Sequence, residues 1–225
     1  MNRYTLEDVA VVIYHLHIPM PDPMTNPSTL ARAEFCSVQG TPSYAIDGQM
    51  ESGGGLRNEA KSYYEKLIAK IENSLEEPAK ARIILNAFYQ DGMVKAKVTV
   101  DEVVHESSEL RLQVALVEDE LSYSGQNNQR FHPMVVRSLG GEKHLGFIID
   151  PSEKTTIEQS FDLEKITKEL EQHLSGLEKE RDMTFTQKKH VIDGEKLSVV
   201  AFLQVTETKE ILQAAYVDVH SNRQF

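Results

Sequence analysis

The chain has little cysteine and no long apolar run, and each absence excludes a class of protein. Cys36 is the only thiol among 225 residues, so an internal disulfide and a cysteine-rich zinc site are both excluded. No uninterrupted apolar stretch reaches the roughly 18 residues that a membrane-spanning helix needs. The apolar run that starts at Val9 follows acidic residues and is interrupted by His15 and His17, which is not the pattern of a signal peptide.

Positive charge is also scarce. The chain carries 35 acidic residues against 24 lysines and arginines, a formal net charge of −11. A surface this acidic repels phosphate backbones, so nucleic acid is not an expected partner. A hydrophobic share of 40% and a charged share of 26% are ordinary for a folded soluble chain, and the length suits one large domain or two small ones.

The first third of the chain has the pattern of an α/β unit. Residues 9–18 form a near-continuous apolar run, typical of a strand that is covered on both faces. Four prolines between Pro19 and Pro27 then predict a stiff, irregular loop. The elements predicted after this loop are a helix over 29–35 capped by Ser28 or Asn26, a strand over 43–46, a turn at Asp47-Gly48, and an amphipathic helix with apolar positions from 56 to 75.

After Pro78 the hydrophobic period changes from that of a helix to that of a strand. Alternating residues such as Val94, Ala96, Val98 and Val100 predict antiparallel strands with one polar face. The predicted strands cover 82–90, 93–104, 110–116, 131–138, 144–149, 155–161, 184–192, 197–206 and 210–219. One amphipathic helix, over 163–181 with Asp162 as its cap, interrupts them. The sequence therefore predicts two domains, 1–77 and 78–225.

The most informative motif is Gly40-Thr41-Pro42, which leads into a strand and then Asp47-Gly48. The stretch VQGTPSYAIDG resembles the cis-proline segment of thioredoxin-fold proteins, and VVIYHLHIP…DPMTNP…ARAEFCSV is similar to their second strand and second helix. Two further stretches, LQVALVEDELSYSG…RFHPMVVRSLGG and LSVVAFLQ…TKEILQAAYVDV, extend the similarity. The whole chain resembles bacterial envelope thioredoxin-like proteins with a C-terminal, outer-membrane-protein-related, immunoglobulin-like β-sandwich.

This resemblance implies a fold, a location and a site. The implied fold class is α+β, an incomplete thioredoxin-like α/β segment followed by an antiparallel immunoglobulin-like β-sandwich with one inserted helix. The implied location is extracytoplasmic, in the periplasm or cell envelope. In members of the family, the peptide bond before the proline that corresponds to Pro42 is cis. The backbone of the residue before that proline, which corresponds to Thr41 here, pairs with an extended substrate.

One departure from the family decides the functional expectation. The family's Cys-x-x-Cys is absent, and the chain begins at about the end of the helix that carries it. Thiol–disulfide exchange needs an attacking thiolate and a resolving partner, so the first hypothesis is a non-catalytic binding or structural module without a cofactor. The alternative is an envelope thiol–disulfide oxidoreductase whose catalytic start is missing from this chain. A third reading has the sandwich loops binding a partner or glycan. Without the dithiol, Thr41 and Pro42 form either a weak peptide-binding edge or, the favoured reading, a structural element.

Four further residues form a candidate polar site. His15 and His17 share one face of the predicted strand and could chelate zinc with Asp22 as a third ligand. The favoured reading is instead that both histidines are hydrogen-bonded where the strand enters the proline loop, with no metal. Cys36 is expected to be a small buried apolar residue at the end of the short helix.

The missing first strand has a structural consequence. In the thioredoxin arrangement that strand lies between the second and third, so its absence leaves the strands at 9–18 and 43–46 with unpaired edges. These strands could pair with each other, or a strand of the sandwich or of a second copy could fill the gap, or the segment could be partly disordered. We expect a symmetric dimer or a swapped strand, with an extended peptide as the other candidate partner.

Overall fold

The structure, a computed structural model, describes residues 3–53, 57–105, 109–125 and 129–221. In this part of the chain it is a mixed α/β protein with three α-helices and several antiparallel sheets. The helices are α1 (Pro27–Phe35), α2 (Ala60–Glu76) and α3 (Leu163–Arg181). The strands are β1 (Ser43–Ile46), β2 (Gln49–Ser52), β3 (Arg82–Gln90), β4 (Met93–Asp101), β5 (Leu110–Glu118), β6 (Leu121–Ser122), β7 (Phe131–His132), β8 (Val135–Leu139), β9 (Phe147–Ile149), β10 (Thr155–Asp162), β11 (Leu197–Val205), β12 (Ile211–Asp218) and β13 (His220–Ser221). Position 56, the first of the predicted apolar helix positions, lies outside the described residues.

Two sheets pack face to face around the main core. One has the order β10-β4-β3-β13, and the other has the order β12-β11-β5-β8 with β9 beside β5. The alternation in β4 works as the sequence predicts, because Val94, Ala96, Val98 and Val100 are all buried between the sheets. The hairpin of β3 and β4 turns at Asp91 and Gly92, both with positive φ, the geometry that Asp-Gly favours.

The second sheet is covered on its outer face as well. Every residue of β11 is buried, because residues of the N-terminal segment pack on the side that faces away from the core. The packed side chains include Val12, Ile13 and Tyr14, which lie against a cluster containing Val200 and Phe202. Residues 6–14 therefore form a third layer, which explains why most of the residues from Val9 to Tyr14 are apolar, although Val11 itself is 38% exposed.

The predicted strand over 9–18 is wrong as an element, although all of these residues except Val11 and Ile18 are at least partly buried. Only Ile13 forms a bridge, parallel to Val135 of β8. The Ile13 N–H donates to the Met134 carbonyl at 2.9 Å, and the Val136 N–H donates to the Ile13 carbonyl at 3.0 Å. The segment thus docks on the edge of the second sheet rather than beside β1, and of the possible outcomes for the gap, the sandwich provides the partner.

Helix α1 closes the same edge. Asn26 caps it in a capping box with Thr29, and Pro27 occupies the first turn. The Asn26 Nδ2 also donates to the Val136 carbonyl at 2.8 Å, so both outward backbone groups of Val136 are satisfied. An edge covered in this way does not offer itself to another chain.

Helix α3 spans the range that its apolar spacing predicts, but the segment after it is not the predicted strand over 184–192. The Lys189 and Val191 carbonyls accept hydrogen bonds from Arg137 at 2.7 and 3.4 Å, and the Asp193 N–H donates to Glu118 at 3.1 Å. Side chains of the second sheet therefore bind this backbone, and it runs as an irregular segment. None of the helices in the described ranges combines the length and apolarity needed to cross a membrane.

Candidate functional site

The candidate site is built on the hairpin of β1 and β2, in which Tyr44 faces Glu51 and Ile46 faces Gln49. Its turn, Asp47-Gly48, has positive φ at both residues. Gly48 has a second constraint, because a Cβ atom there would lie 1.7 Å from the Lys209 carbonyl oxygen. The tip of the hairpin is hydrogen-bonded to the second sheet, since the Ile211 N–H donates to the Asp47 carbonyl at 2.9 Å.

One edge of this hairpin is open. The Gly53 N–H donates to the Pro42 carbonyl at 3.0 Å, which marks Pro42 and Gly53 as a hydrogen-bonded pair. Bonded and non-bonded pairs alternate along an antiparallel ladder, so Ser43 and Ala45 point their N–H and C=O groups away from β2. In the described part of the chain β1 pairs only with β2, and Ser43 and Ala45 are exposed.

The two faces of the hairpin differ. One face is covered by α2, through an edge-to-face contact of Tyr44 with Tyr63 at 6.0 Å and an ion pair of Lys70 with Glu51. The other face carries Met50, which is 42% exposed. Although its apolar spacing predicts a packed face, α2 itself has no buried residue, so it supports the hairpin without burying it.

Next to the open face lies a shallow depression of about 370 Å³. Apolar groups of its lining come from Cys36, Val38, Pro42 and Met50. Cys36 is only partly buried, which corrects the expectation of a buried core residue, because it ends α1 at the wall of the depression. Thr41 and Pro42 are exposed at its rim.

The Gly40–Pro42 segment rests on the proline loop. The Thr41–Pro42 and Ile18–Pro19 peptide bonds are both cis. The Thr41 hydroxyl donates to the Ile18 carbonyl at 2.6 Å, so the two loops are in direct contact. The motif around Thr41 and Pro42 is recognisable in the sequence, but nothing in the sequence indicates that the proline loop is its neighbour.

The histidine pair does not converge on one point. Asp22 connects both rings: its carboxylate lies 2.8 Å from the His15 Nδ1, and its backbone N–H donates to the His17 Nδ1 at 3.0 Å. The other nitrogens diverge. The His15 ring meets His132 edge to face at 5.2 Å, whereas the His17 Nε2 lies 3.2 Å from the Nε2 of His173 on α3.

This geometry does not support the zinc site that the sequence left open. In the described ranges no group of three or more histidine, cysteine, aspartate or glutamate side chains is placed to hold a metal ion. Sequence reasoning missed His173, yet a signal existed. Position 173 continues the helical spacing of the buried residues Ile166, Leu170 and Leu177, and a histidine on such a stripe faces the protein interior.

Comparisons with known proteins give a likeness in structure only. No family model matches the sequence, and no curated protein matches it. The chain is similar to the solved structure of HBP35 of Porphyromonas gingivalis, with 14% identity and a TM-score of 0.60 over 88% of this chain and 60% of that one. A domain of the outer membrane lipoprotein Omp28 from Porphyromonas gingivalis matches with 18% identity and a TM-score of 0.36, over 64% of this chain and 92% of that one. The chain thus shares the fold of a protein of which it spans 60% of the length.

Proposed function

We propose that this chain is a non-catalytic binding module that receives an extended peptide along the open edge of β1. The observation that carries the proposal is the outward-facing backbone of Ser43 and Ala45 in an exposed strand that is paired on one side only. A strand edge of this kind binds an extended segment through main-chain hydrogen bonds. Thr41 lies just before β1 and is exposed beside the start of this edge.

Pro42 does not interfere with the pairing of an added strand along this edge. Because its carbonyl faces Gly53, its nitrogen points to the same, inner side of the ladder, where the lack of an N–H costs an incoming strand nothing. An added strand would therefore find donors and acceptors at positions 43 and 45, with Thr41 and Pro42 beside the start of the edge. From the sequence alone a structural role for Thr41 and Pro42 is favoured, and the open edge of β1 is the reason to favour binding instead.

The depression supplies a place for one apolar side chain of the bound segment. Its volume of about 370 Å³ lies at the small end of ligand pockets. The hairpin is fixed in advance by its bond to Ile211 and by the contact between Tyr44 and Tyr63, so little ordering is needed on binding. Peptides with an aliphatic or aromatic residue at alternate positions are therefore the expected ligands.

The surroundings of the proposed function come from the resemblance of the motifs. We infer a thioredoxin-like part over 1–77, an immunoglobulin-like sandwich over 78–225, and an extracytoplasmic place of action. The division into two parts is supported by the change of hydrophobic period after Pro78 and by the two sheets that the later strands form around the main core. The activity of the alternative, an oxidoreductase, needs a second thiol that the 225 residues do not contain.

The test removes one outward donor without changing the fold. Ala45→Pro deletes an N–H on the open edge, a change that an edge strand tolerates, and Ala45→Ser is the matched control that keeps the N–H. We expect hexapeptides with alternating apolar residues, screened by fluorescence polarisation, to bind the parent and A45S and to bind A45P roughly tenfold more weakly.

Two results would contradict the proposal. One is equal binding to A45P and A45S when both variants melt at the parent temperature. The other is peptide binding that protects amides elsewhere from hydrogen exchange but leaves Ser43 and Ala45 unprotected.

A further inference from the structure

Two histidines that stand 156 residues apart in the sequence meet where the proline loop passes α3. The Nε2 atoms of His17 and His173 are 3.2 Å apart, and the two ring planes lie within 15° of parallel. Both side chains are partly buried. This contact ties the loop over residues 15–24 to a helix of the other part of the chain.

The neighbouring backbone fixes where the protons sit. Because the Asp22 N–H donates to the His17 Nδ1 at 3.0 Å, that nitrogen is an acceptor, and in a neutral imidazole the proton must then be on Nε2. His17 therefore donates from Nε2 to the Nε2 of His173. His173 in turn carries its own proton on Nδ1.

The same reasoning argues against a metal between the two rings. Coordination through the His17 Nε2 needs a free electron pair on that atom, which moves the proton to Nδ1. There it would face the Asp22 N–H, and two donors would oppose each other. The pair is built for an N–H···N hydrogen bond between neutral rings.

We propose that His17 and His173 form an acid-sensitive latch that holds the proline loop against α3 when both rings are neutral and releases it when either ring takes up a proton. A proton on the His17 Nδ1 displaces the Asp22 N–H. A proton on the His173 Nε2 replaces the only acceptor with a second donor. Either event also places a positive charge in a partly buried site, and a second one would bring two like charges together.

The surroundings of the two histidines determine whether acid opens or closes the latch. Burial, the His173 ring and the Arg181 guanidinium on α3 hold the pKa of His17 at about 4, against the attraction of Asp22 in the loop, and burial lowers the pKa of His173. Asp22 is itself engaged by His15 at 2.8 Å. An open loop has ordinary histidine pKa values, so it binds more protons than the closed latch as the pH falls from about 6.5 towards 4. The latch is therefore fully closed above this window and loses stability within it.

Release is local. The N-terminal segment stays fixed through the backbone bonds of Ile13 to β8 and through the buried Met24. The carbonyl of Ile18, the residue after His17, accepts the Thr41 hydroxyl. Opening the latch therefore frees the loop between these two anchors, including the contact with the Gly40–Pro42 segment.

The experiment uses the full chain labelled with ¹⁵N. Imidazole spectra at neutral pH should show His17 protonated at Nε2 and His173 protonated at Nδ1. The protection factor of the Asp22 amide against hydrogen exchange should fall roughly tenfold or more between pH 7 and about pH 4.5, while that of the Val136 amide stays constant. His173→Ala should remove the Asp22 protection at every pH. His220→Ala, an exposed histidine on β13, is the control and should change nothing.

A variant with a milder change separates titration from packing. In His173→Gln the side-chain oxygen can still accept from the His17 Nε2, so the latch should close with only one titrating ring and open at lower pH. The proposal is overturned by a His17 ring protonated at Nδ1 in the parent, by an Asp22 amide that stays protected in acid, or by zinc chloride shifting both Nε2 signals and raising the melting temperature. All three readings are made on the parent protein, so they do not depend on the folding of a variant.

Discussion

At the scale of single residues, the least expected feature is a buried ion pair within the second sheet, whose two members also bind the backbone of the segment after α3. Arg137 and Glu118 are 1% and 4% exposed, with the Arg137 Nε 3.2 Å from a Glu118 carboxylate oxygen. Arg137 occupies a register shift in the pairing of β8 with β5, and a bulge of this kind re-aims a side chain. Burial lowers the pKa of Arg137 and raises the pKa of Glu118, so each charge depends on the other.

We predict that Arg137→Met lowers the free energy of unfolding by about 3–5 kcal/mol, because it leaves the Glu118 carboxylate buried without its partner. The double variant Glu118→Gln/Arg137→Met should cost less than the single one, since no charge is then left behind. Urea unfolding measures both. Lys196→Met, which removes the exposed pair with Glu120 at 3.3 Å, is the control and should change stability by less than about 1 kcal/mol. A double variant worse than Arg137→Met would refute this account.

At the scale of elements, the N-terminal segment and α1 complete the second sheet by covering its outer face and the edge of β8. Positions 10 and 12–14 of the run VAVVIYHLHI are apolar because they pack on β8 and β11, not because they lie within a sheet. Asn26 is fully buried and has two roles, since its Oδ1 accepts from the Thr29 N–H at 3.1 Å while its Nδ2 donates to the Val136 carbonyl at 2.8 Å. One side chain therefore starts the helix and docks it.

Two substitutions separate these roles. Asn26→Ala should destabilise the protein by about 2–4 kcal/mol, because it removes the cap and leaves the Val136 carbonyl without its donor. Asn26→Asp keeps the capping oxygen but replaces the donor with an acceptor, so we expect it to retain α1 while loosening the edge of β8. Hydrogen exchange at the amides of α1 and β8 distinguishes the two variants. Equal exchange profiles for the two variants would mean that capping alone matters.

At the scale of the whole molecule, the edge strands β8 and β1 differ in whether their outward backbone groups are covered. The edge of β8 is closed by Ile13 and Asn26, whereas the edge of β1 stays open beside an exposed depression. An open edge pairs with whatever extended backbone is available, including a second copy of the same chain. The dimer that the sequence leads us to expect therefore remains a prediction, with two copies pairing along their β1 edges.

We predict concentration-dependent self-association that uses the β1 edge. Sedimentation should show a dimer that shifts towards monomer in Ala45→Pro and remains in Ala45→Ser, since only the first loses the outward N–H. A bound hexapeptide should compete with the dimer for the same edge. A parent protein that is monomeric at every concentration would remove self-pairing but leave the peptide proposal standing.

The count of thiols gives a prediction for activity. Since Cys36 is the only cysteine and is partly exposed at the depression, the chain cannot form and resolve a disulfide by itself. An insulin-reduction assay should give the background rate for both the parent and Cys36→Ser. Turnover by the parent that Cys36→Ser abolishes would revive the oxidoreductase hypothesis.

Much of the fold follows from local patterns in the sequence. The alternation of Val94 to Val100, the Asp-Gly turns, and the cap at Asp162 with its apolar helix face each depend on residues that are close in sequence. The candidate edge at Thr41 and Pro42 was recognisable for the same reason, because a motif, a strand and a turn follow one another directly. Such features need only backbone preferences and the period of the apolar residues.

The tertiary structure decided the partners of each element. An apolar run such as residues 9–18 fits any buried position, and only the unsatisfied edge of β8 selects a layer on the second sheet instead of a strand beside β1. The segment 184–192 has strand-like residues, but its backbone binds the Arg137 side chain at Lys189 and Val191 instead of a neighbouring strand. His17 likewise gains its role only from His173 across 156 residues. Composition and period indicate which residues are apolar and suited to burial, whereas the competition among distant groups for the same hydrogen bonds decides where, and whether, they are buried.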